Sequence, residues 1–297
     1  MKLANCQIGE KRFIGINFNG KFIDLSKGIE IYSLINEREE RRFYKIEDLL
    51  VLDNVFKYLE ERIDFIQTHK LEALLSIDSP KILPPIIKPS KIVALGRNYL
   101  EHARETGYEA PKEPIFFSKA TSSIIAPEEA IIYPNWLTRV DPEVELGVII
   151  GRRAKKVSKE KALEYVLGYT IVNDVTARDM QAEDLKIASP WFRSKSLDTF
   201  CPMGPFLVLK EYIPDPHSLN IELKVNGEIR QKDNTRNLIF KIPEIISFIS
   251  MHMTLDAGDI IATGTPSGIA PIHPGDIIEA SIEKIGHLKN RVVREEE

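Results

Sequence analysis

Clusters of apolar residues divide the chain into a short N-terminal part and a longer remainder. Phe13-Ile14-Gly15-Ile16-Asn17-Phe18 and Lys21-Phe22-Ile23-Asp24-Leu25 flank Asn19-Gly20, a dipeptide that accepts positive φ at both central turn positions. The pattern predicts a hairpin. From Ile46 to Ile77 the spacing becomes helical, with Leu49, Leu50, Val55, Tyr58, Leu59 and Ile63 recurring, and this predicts one or two amphipathic helices. Pro84, Pro85 and Pro89 then break the pattern, because proline removes amide donors and biases the preceding residue toward extended geometry. A small α+β unit over 1–88 and a second unit over 89–297 are expected.

Beyond the prolines the pattern is one of short strands: Ile92 to Leu95, Ile115 to Phe117, Val144 to Ile150, Tyr169 to Val172, Phe206 to Leu209, Ile221 to Val225, Asp259 to Ala262 and Ile277 to Ile282. Gly, Pro and Asp turns separate them, which predicts an α+β, β-rich sandwich, roll or barrel. Two helices interrupt the run. Ser158 can cap one that reaches about Leu167 with Gly168 as its stop, and Pro243 suits the start of another ending near His252.

Composition narrows the function. With 43% apolar and 28% charged residues among 297, and a net charge of −4, the chain is an ordinary globular one with no electrostatic reason to seek a phosphate backbone. No nucleic-acid partner is expected. The start lacks an apolar signal core and no run is long enough to span a bilayer, so a cytoplasmic protein without a membrane partner is expected. Cys6 and Cys201 form no CxxC, which fits a reducing compartment.

Candidate chemistry concentrates in Asp141-Pro142-Glu143-Val144-Glu145-Leu146-Gly147-Val148. On a strand Glu143 and Glu145 share one face about 7 Å apart, with Val144, Leu146 and Val148 on the other. Two such carboxylates can converge on one cation, and Gly147 on the same face leaves space beside it. The same pattern also fits an amphipathic edge strand with a wet acidic face. Asp174 ends a second predicted strand just before a helical stretch, Val175 to Gln181, where it serves either a ligand or as a helix cap. If Glu143, Glu145 and Asp174 meet, the set is all oxygen, which selects Mg²⁺, with Mn²⁺ or Ca²⁺ as substitutes.

Other residues add acid–base and anion-binding options. His102 and Glu105 lie three apart on a short helix stopped by Gly107, a spacing at which a carboxylate can orient a general base. A solvated histidine beside an ordinary helix charge is the alternative. Lys119 and Lys195 either bind a substrate carboxylate or stabilise an enolate, or are surface lysines. Ala262-Thr263-Gly264-Thr265-Pro266-Ser267-Gly268 is a small-residue turn whose amides and hydroxyl can receive an anionic group.

Taken in order, these segments resemble the fumarylacetoacetate hydrolase family over nearly all of residues 90 to 292. The carriers are Gly96-Arg97-Asn98-Tyr99 with His102 and Glu105, Phe117 with Lys119, Glu143-x-Glu145-Leu146, Gly168-Tyr169 with Asn173-Asp174 and Ala177-Arg178-Asp179, Lys195-Ser196-x-Asp198-Thr199-Phe200, and Gly258-Asp259 with Thr263-Gly264-Thr265-Pro266. The resemblance implies a distorted β-roll, usually dimeric, with a small N-terminal domain. By the same resemblance Glu143, Glu145 and Asp174 are ligands of Mg²⁺ or Mn²⁺, and His102 with Glu105 is a dyad on a mobile lid. Lys195 is an enolate-stabilising lysine, and Arg97, Lys119, Arg178, Gln181 and Thr265 line the substrate pocket.

The resemblance also implies the activity. A metal-dependent enzyme acting on 2-oxo or 2,4-dioxo acids is expected, as in the acylpyruvase and 2-hydroxyhepta-2,4-diene-1,7-dioate isomerase branch. Hydrolytic cleavage of a carbon–carbon bond in an acylpyruvate-type substrate is the leading outcome, with isomerisation or decarboxylation as the alternative. A non-catalytic metal and oxo-acid binding protein is a further alternative, disfavoured by the dyad and Lys195. The neighbourhood of Asn98 lacks the additional metal-binding acid of the animal tyrosine-pathway enzyme, so three protein ligands and a smaller 2-oxo acid are expected.

Overall fold

Three sheets carry the structure, a computed structural model that describes residues 1–18 and 20–296. The largest runs, in spatial order, through Ser76–Ile77, Lys21–Asp24, Lys11–Phe18, Lys2–Ile8, Cys201–Leu209, Val166–Asn173, Val144–Ile150, Ile260–Ala262, Ile92–Gly96 and Ile115–Lys119. Lys81–Leu83 joins it on Lys2–Ile8, and Ile124–Ile125 on Cys201–Leu209. A second sheet orders Glu228–Asn234, Asn220–Val225, Ile277–Ile282, Gly286–Arg294 and Ile131–Tyr133, and a third pairs Val140–Asp141 with Thr176–Ala177. The architecture is mixed α+β and rich in strand, as the spacing of short apolar runs predicts.

The hairpin forms with Gly15 opposite Asp24 and Phe18 opposite Lys21; Asn19 of the predicted turn lies outside the described residues. Leu25, expected to end the second strand, instead opens the helix Leu25–Ile35, because the Asp24 carboxylate accepts from the Lys27 amide at 2.9 Å and caps it. The predicted helical region resolves into a 3-10 turn at Ile46–Val51, the helix Val55–Thr68 capped by Asn54, and a single turn at Glu72–Leu75. Pro243 sits in the first turn of Ile242–His252, as expected.

Val144–Ile150 is buried along its whole length between Val166–Asn173 and Ile260–Ala262. Val144, Leu146, Val148 and Ile150 enter one apolar core with Ile221, Leu223, Ile245 and Ile278; Ile149 enters a second core with Ile29, Leu49, Leu59 and Leu207. Each fully buried aliphatic side chain contributes roughly 1.5–3 kcal/mol. The strand is therefore central, and the edge-strand alternative with a wet acidic face is excluded. Gly147 leaves no space: a Cβ there would lie 2.8 Å from methyl groups of both Thr170 and Val172.

The helix expected after Ser158 is also corrected. Lys159–Tyr165 is a 3-10 segment that passes into the strand Val166–Asn173, with Gly168 inside the strand. A Cβ at Gly168 would overlap the Val208 carbonyl oxygen on the adjacent strand, so close backbone approach, and no helix stop, requires the glycine. Gly168→Ala is expected to destabilise the fold by about 1–3 kcal/mol. A lowered urea midpoint at unchanged slope would show it, and a wild-type midpoint would contradict it.

Candidate active site and metal centre

Glu143 and Glu145 flank Val144 at the start of the central strand, and Asp174 follows the end of its antiparallel neighbour. The pairing of Val144 with Asn173 brings the three carboxylates together. The Asp174 amide donates to the Glu143 carbonyl at 2.8 Å, and the Glu143 amide donates to Asn173 Oδ1 at 2.9 Å. All three acids are buried, with one oxygen from each within 4.8 Å of the others. Asp174 caps no helix: the helix Arg178–Lys186 starts later, with Ala177 at its cap position.

Buried cations surround part of this cluster. Lys195 Nζ donates to Glu143 Oε2 at 2.7 Å and to Asp174 Oδ2 at 2.6 Å. Lys119 Nζ donates to the Lys195 carbonyl and lies 2.7 Å from Asp174 Oδ1, outside hydrogen-bond geometry. Arg178 donates to Glu143 Oε1, to Gln181 Oε1 at 2.7 Å and to Asp141 Oδ2 at 2.8 Å. Both lysines are buried, so neither is the surface lysine of the alternative reading.

Glu145 has no cationic partner among the described residues. Its Oε2 accepts from the Gly264 amide at 2.7 Å. The anion received by the small-residue turn is thus, at this amide, the protein's own carboxylate. Thr265 Oγ1 donates to the Val144 carbonyl at 2.9 Å and accepts from Gln231 Nε2 at 2.8 Å, tying that turn to the strand.

The charges separate the two glutamates. Burial pushes Glu143 up, but Lys195 and Arg178 beside it overcome this and hold its carboxyl well below the usual range. Burial and the charges of Asp174 and Glu143 push Glu145 well above that range. A buried carboxylate facing two others without a cation of its own is relieved by a divalent ion, and an all-oxygen donor set suits Mg²⁺ or Mn²⁺. The three acids fit such an ion.

His102 stands on the short helix Leu100–Glu105 and is buried, with Nδ1 3.2 Å from Glu105 Oε2. The Gly268 amide donates to Glu105 Oε1 at 3.0 Å. Burial pushes the Glu105 carboxyl up, and His102 and the Gly268 amide more than offset it, so it sits below its ordinary value. Glu105 is then ionised at neutral pH and only accepts; in the neutral ring Nδ1 carries the proton and Nε2 is the free acceptor. The solvated-histidine alternative fails on burial.

One cavity of about 360 Å³ joins these groups. Glu143, Glu145, Lys195, Arg178, Gln181 and Thr265 line it together with His102, Glu105 and Arg97. Lys119 is buried behind Lys195 and Asp174 and does not line the cavity.

Sequence reasoning gave no role to Asp141 or Trp191. Asp141 is fully buried and accepts from Arg178 and, at 3.0 Å through both oxygens, from Arg139. Its signal was a third acid two residues before Glu143. Trp191 packs against Gly96 and walls the cavity, a contact no local pattern encodes.

Residues 91–293 match the family described as fumarylacetoacetate (FAA) hydrolase C-terminal. The chain belongs to the fumarylacetoacetate hydrolase family. An uncharacterized protein of Pyrococcus abyssi is 55% identical over 210 residues, 71% of this chain and 93% of that protein. A mitochondrial oxaloacetate tautomerase of Xenopus laevis is 40% identical over 74% of this chain and 70% of its own length. Among solved structures, a 2-hydroxyhepta-2,4-diene-1,7-dioate isomerase from Mycobacterium marinum is 40% identical with a TM-score of 0.66, covering 73% of this chain and 79% of that one. Maleylpyruvate hydrolase from Sphingobium sp. SYK-6, in complex with manganese (II) ion and pyruvate, is 28% identical with a TM-score of 0.77 over 100% of both chains. Hydrolases, isomerases and tautomerases are all represented among the proteins this chain resembles. Among the described residues, no helix is long and apolar enough to cross a membrane.

Proposed function

We propose that this protein is a divalent-metal-dependent enzyme that carries 2-oxo acids through an enolate, with hydrolytic cleavage of an acylpyruvate-type substrate as its leading reaction. The observation that carries this reading is the opening of two carboxylates of the triad, Glu143 and Glu145, a buried lysine and a histidine–carboxylate dyad onto one cavity. Glu143, Glu145 and Asp174 would hold Mg²⁺ or Mn²⁺, with Ca²⁺ as a substitute. When bound, the ion supplies Lewis-acid polarisation of a substrate's 2-oxo and carboxylate oxygens.

The chain's own residues do the rest. Arg178, Gln181 and the Thr265 turn receive the substrate carboxylate, while Lys195 Nζ supplies a positive charge beside the developing enolate oxygen. Lys119, bonded to the Lys195 carbonyl, fixes the turn that presents Lys195. His102, oriented by Glu105, takes a proton from water through Nε2 as the water oxygen attacks the distal carbonyl carbon. The bond between that carbonyl carbon and C3 then breaks, and C3, the carbon next to the 2-oxo group, receives the electron pair as an enolate and later a proton. A carboxylic acid and a 2-oxo acid leave.

A second reading, proton transfer without cleavage, is favoured by the oxaloacetate tautomerase from Xenopus laevis at 40% identity. His102 then moves a proton between C3 and solvent while Lys195 supports the same enolate. The test is a turnover panel with Mg²⁺ or Mn²⁺: acylpyruvates, oxaloacetate and 2-hydroxyhepta-2,4-diene-1,7-dioate, each run beside Glu143→Ala. Hydrolysis of a diketo acid that the variant lacks supports the leading reading, and activity confined to oxaloacetate or the dienedioate replaces it with the second. Turnover that persists in Glu143→Ala would sink both.

A further inference from the structure

Asp141 stands two residues before Glu143, is fully buried, and takes no part in the chemistry proposed above. The small two-stranded sheet fixes its place. Val140 pairs with Ala177 and Asp141 with Thr176, and the Arg178 amide donates to the Arg139 carbonyl at 2.9 Å, so the strand end that carries Asp141 lies beside the first residue of the helix Arg178–Lys186. The Asp141 carboxylate takes three charge-assisted hydrogen bonds there. Arg178 Nε donates to Oδ2 at 2.8 Å, and Arg139 donates to each of the two oxygens at 3.0 Å.

Arg178 links this acid to the carboxylate triad. The same guanidinium donates through Nη2 to Glu143 Oε1 and through Nη1 to Gln181 Oε1, so each of its nitrogens is engaged by a different side chain. The group is planar and rigid, and holding it at Nε sets the direction of the Nη2 donor that fixes Oε1 of Glu143. Charge acts in the same direction. Asp141 draws part of the Arg178 charge away from Glu143, which leaves that carboxylate freer to face a divalent ion. Arg139, exposed on the cavity wall, competes with Arg178 for Asp141.

We infer that Asp141 is a positioning residue for the metal centre: through Arg178 it aims Glu143 at the ion and limits the positive charge set against that ion. Outer-shell partners of this kind orient ligating carboxylates and tune their affinity. The inference rests on the reading of Glu143, Glu145 and Asp174 as metal ligands, and its test measures ion affinity with no turnover involved.

Calorimetry with Mn²⁺ on the full chain would compare the wild type with Asp141→Asn, Arg178→Gln, the double variant of these two, Arg139→Gln and Glu143→Ala. Asp141→Asn keeps the shape and removes the charge, and it should weaken Mn²⁺ binding by about 10- to 100-fold, the range for loss of an outer-shell partner. In the Arg178→Gln background the same change should have little further effect, because the link is gone. Arg139→Gln should act in the opposite sense and tighten binding about two- to fivefold, the worth of one exposed charge pair. Arg139 is exposed, so this variant decides the matter where Asp141→Asn fails to fold. Wild-type affinity in Asp141→Asn, an equal loss with and without Arg178, or unchanged or weaker binding in Arg139→Gln would overturn the assignment. Mn²⁺ binding unchanged in Glu143→Ala would sink the metal centre and the assignment with it, whereas loss there beside wild-type affinity in Asp141→Asn would sink the assignment alone.

Discussion

Replacing His102 with alanine should lower turnover by about 10²- to 10⁴-fold, the range for removal of a positioned general base, while Mn²⁺ and 2-oxo acid affinity stay close to wild type. The split follows from geometry. His102 bonds to Glu105 and to none of the triad carboxylates, so its loss leaves Glu143, Glu145, Asp174 and Lys195 in place. Steady-state rates beside calorimetric binding of 2-oxoglutarate would check both halves. Near-wild-type turnover would assign the proton transfer elsewhere; equal loss of binding would make His102 a structural residue.

Glu145→Gln carries the second large effect, with opposite signs in two measurements. Divalent-ion affinity should fall by about 100-fold or more, since a direct ligand outweighs the 10- to 100-fold typical of outer-shell partners. In chelator the same variant should be at least as stable as wild type at neutral pH, because Glu145 is the carboxylate whose ionisation burial, Asp174 and Glu143 oppose. The pH dependence fixes the sign. A carboxyl raised above its unfolded value binds its proton more tightly in the folded state, so its stabilising share is complete at acid pH and is lost as pH rises through the folded value. Wild-type stability in chelator should therefore fall as pH rises above the ordinary carboxylate range, and Glu145→Gln should flatten that slope. Urea titrations across pH would show it, and parallel slopes would contradict the electrostatic account.

Strand alternation made part of the site readable before the fold was known. Glu143 and Glu145 had to share a face, and Asp174 stood where a strand leads toward a helix, so local pattern isolated all three acids. Their meeting is non-local and depends on the register that sets Val144 opposite Asn173. The commitment of Lys195 to Glu143 and Asp174, and of Asp141 to Arg178, likewise joins distant segments. Gly168 misled for a related reason. A glycine after a helical pattern resembles a stop, but the element demanding its small size is the Val208 backbone, far along the chain. Gly147 misled in the other direction, since the space it frees on its own strand is filled by Thr170 and Val172 across the sheet.

Cleavage, tautomerisation and isomerisation share the enolate, so its formation is the most direct point of test. Deuterium uptake at C3 of a 2-oxo acid, the carbon next to the keto group, followed by proton NMR in D₂O with Mg²⁺ present, measures it without assuming the product. Rapid exchange that falls sharply in both His102→Ala and Glu143→Ala is predicted. No exchange above the metal-only rate for any 2-oxo acid that binds would contradict the enolate account.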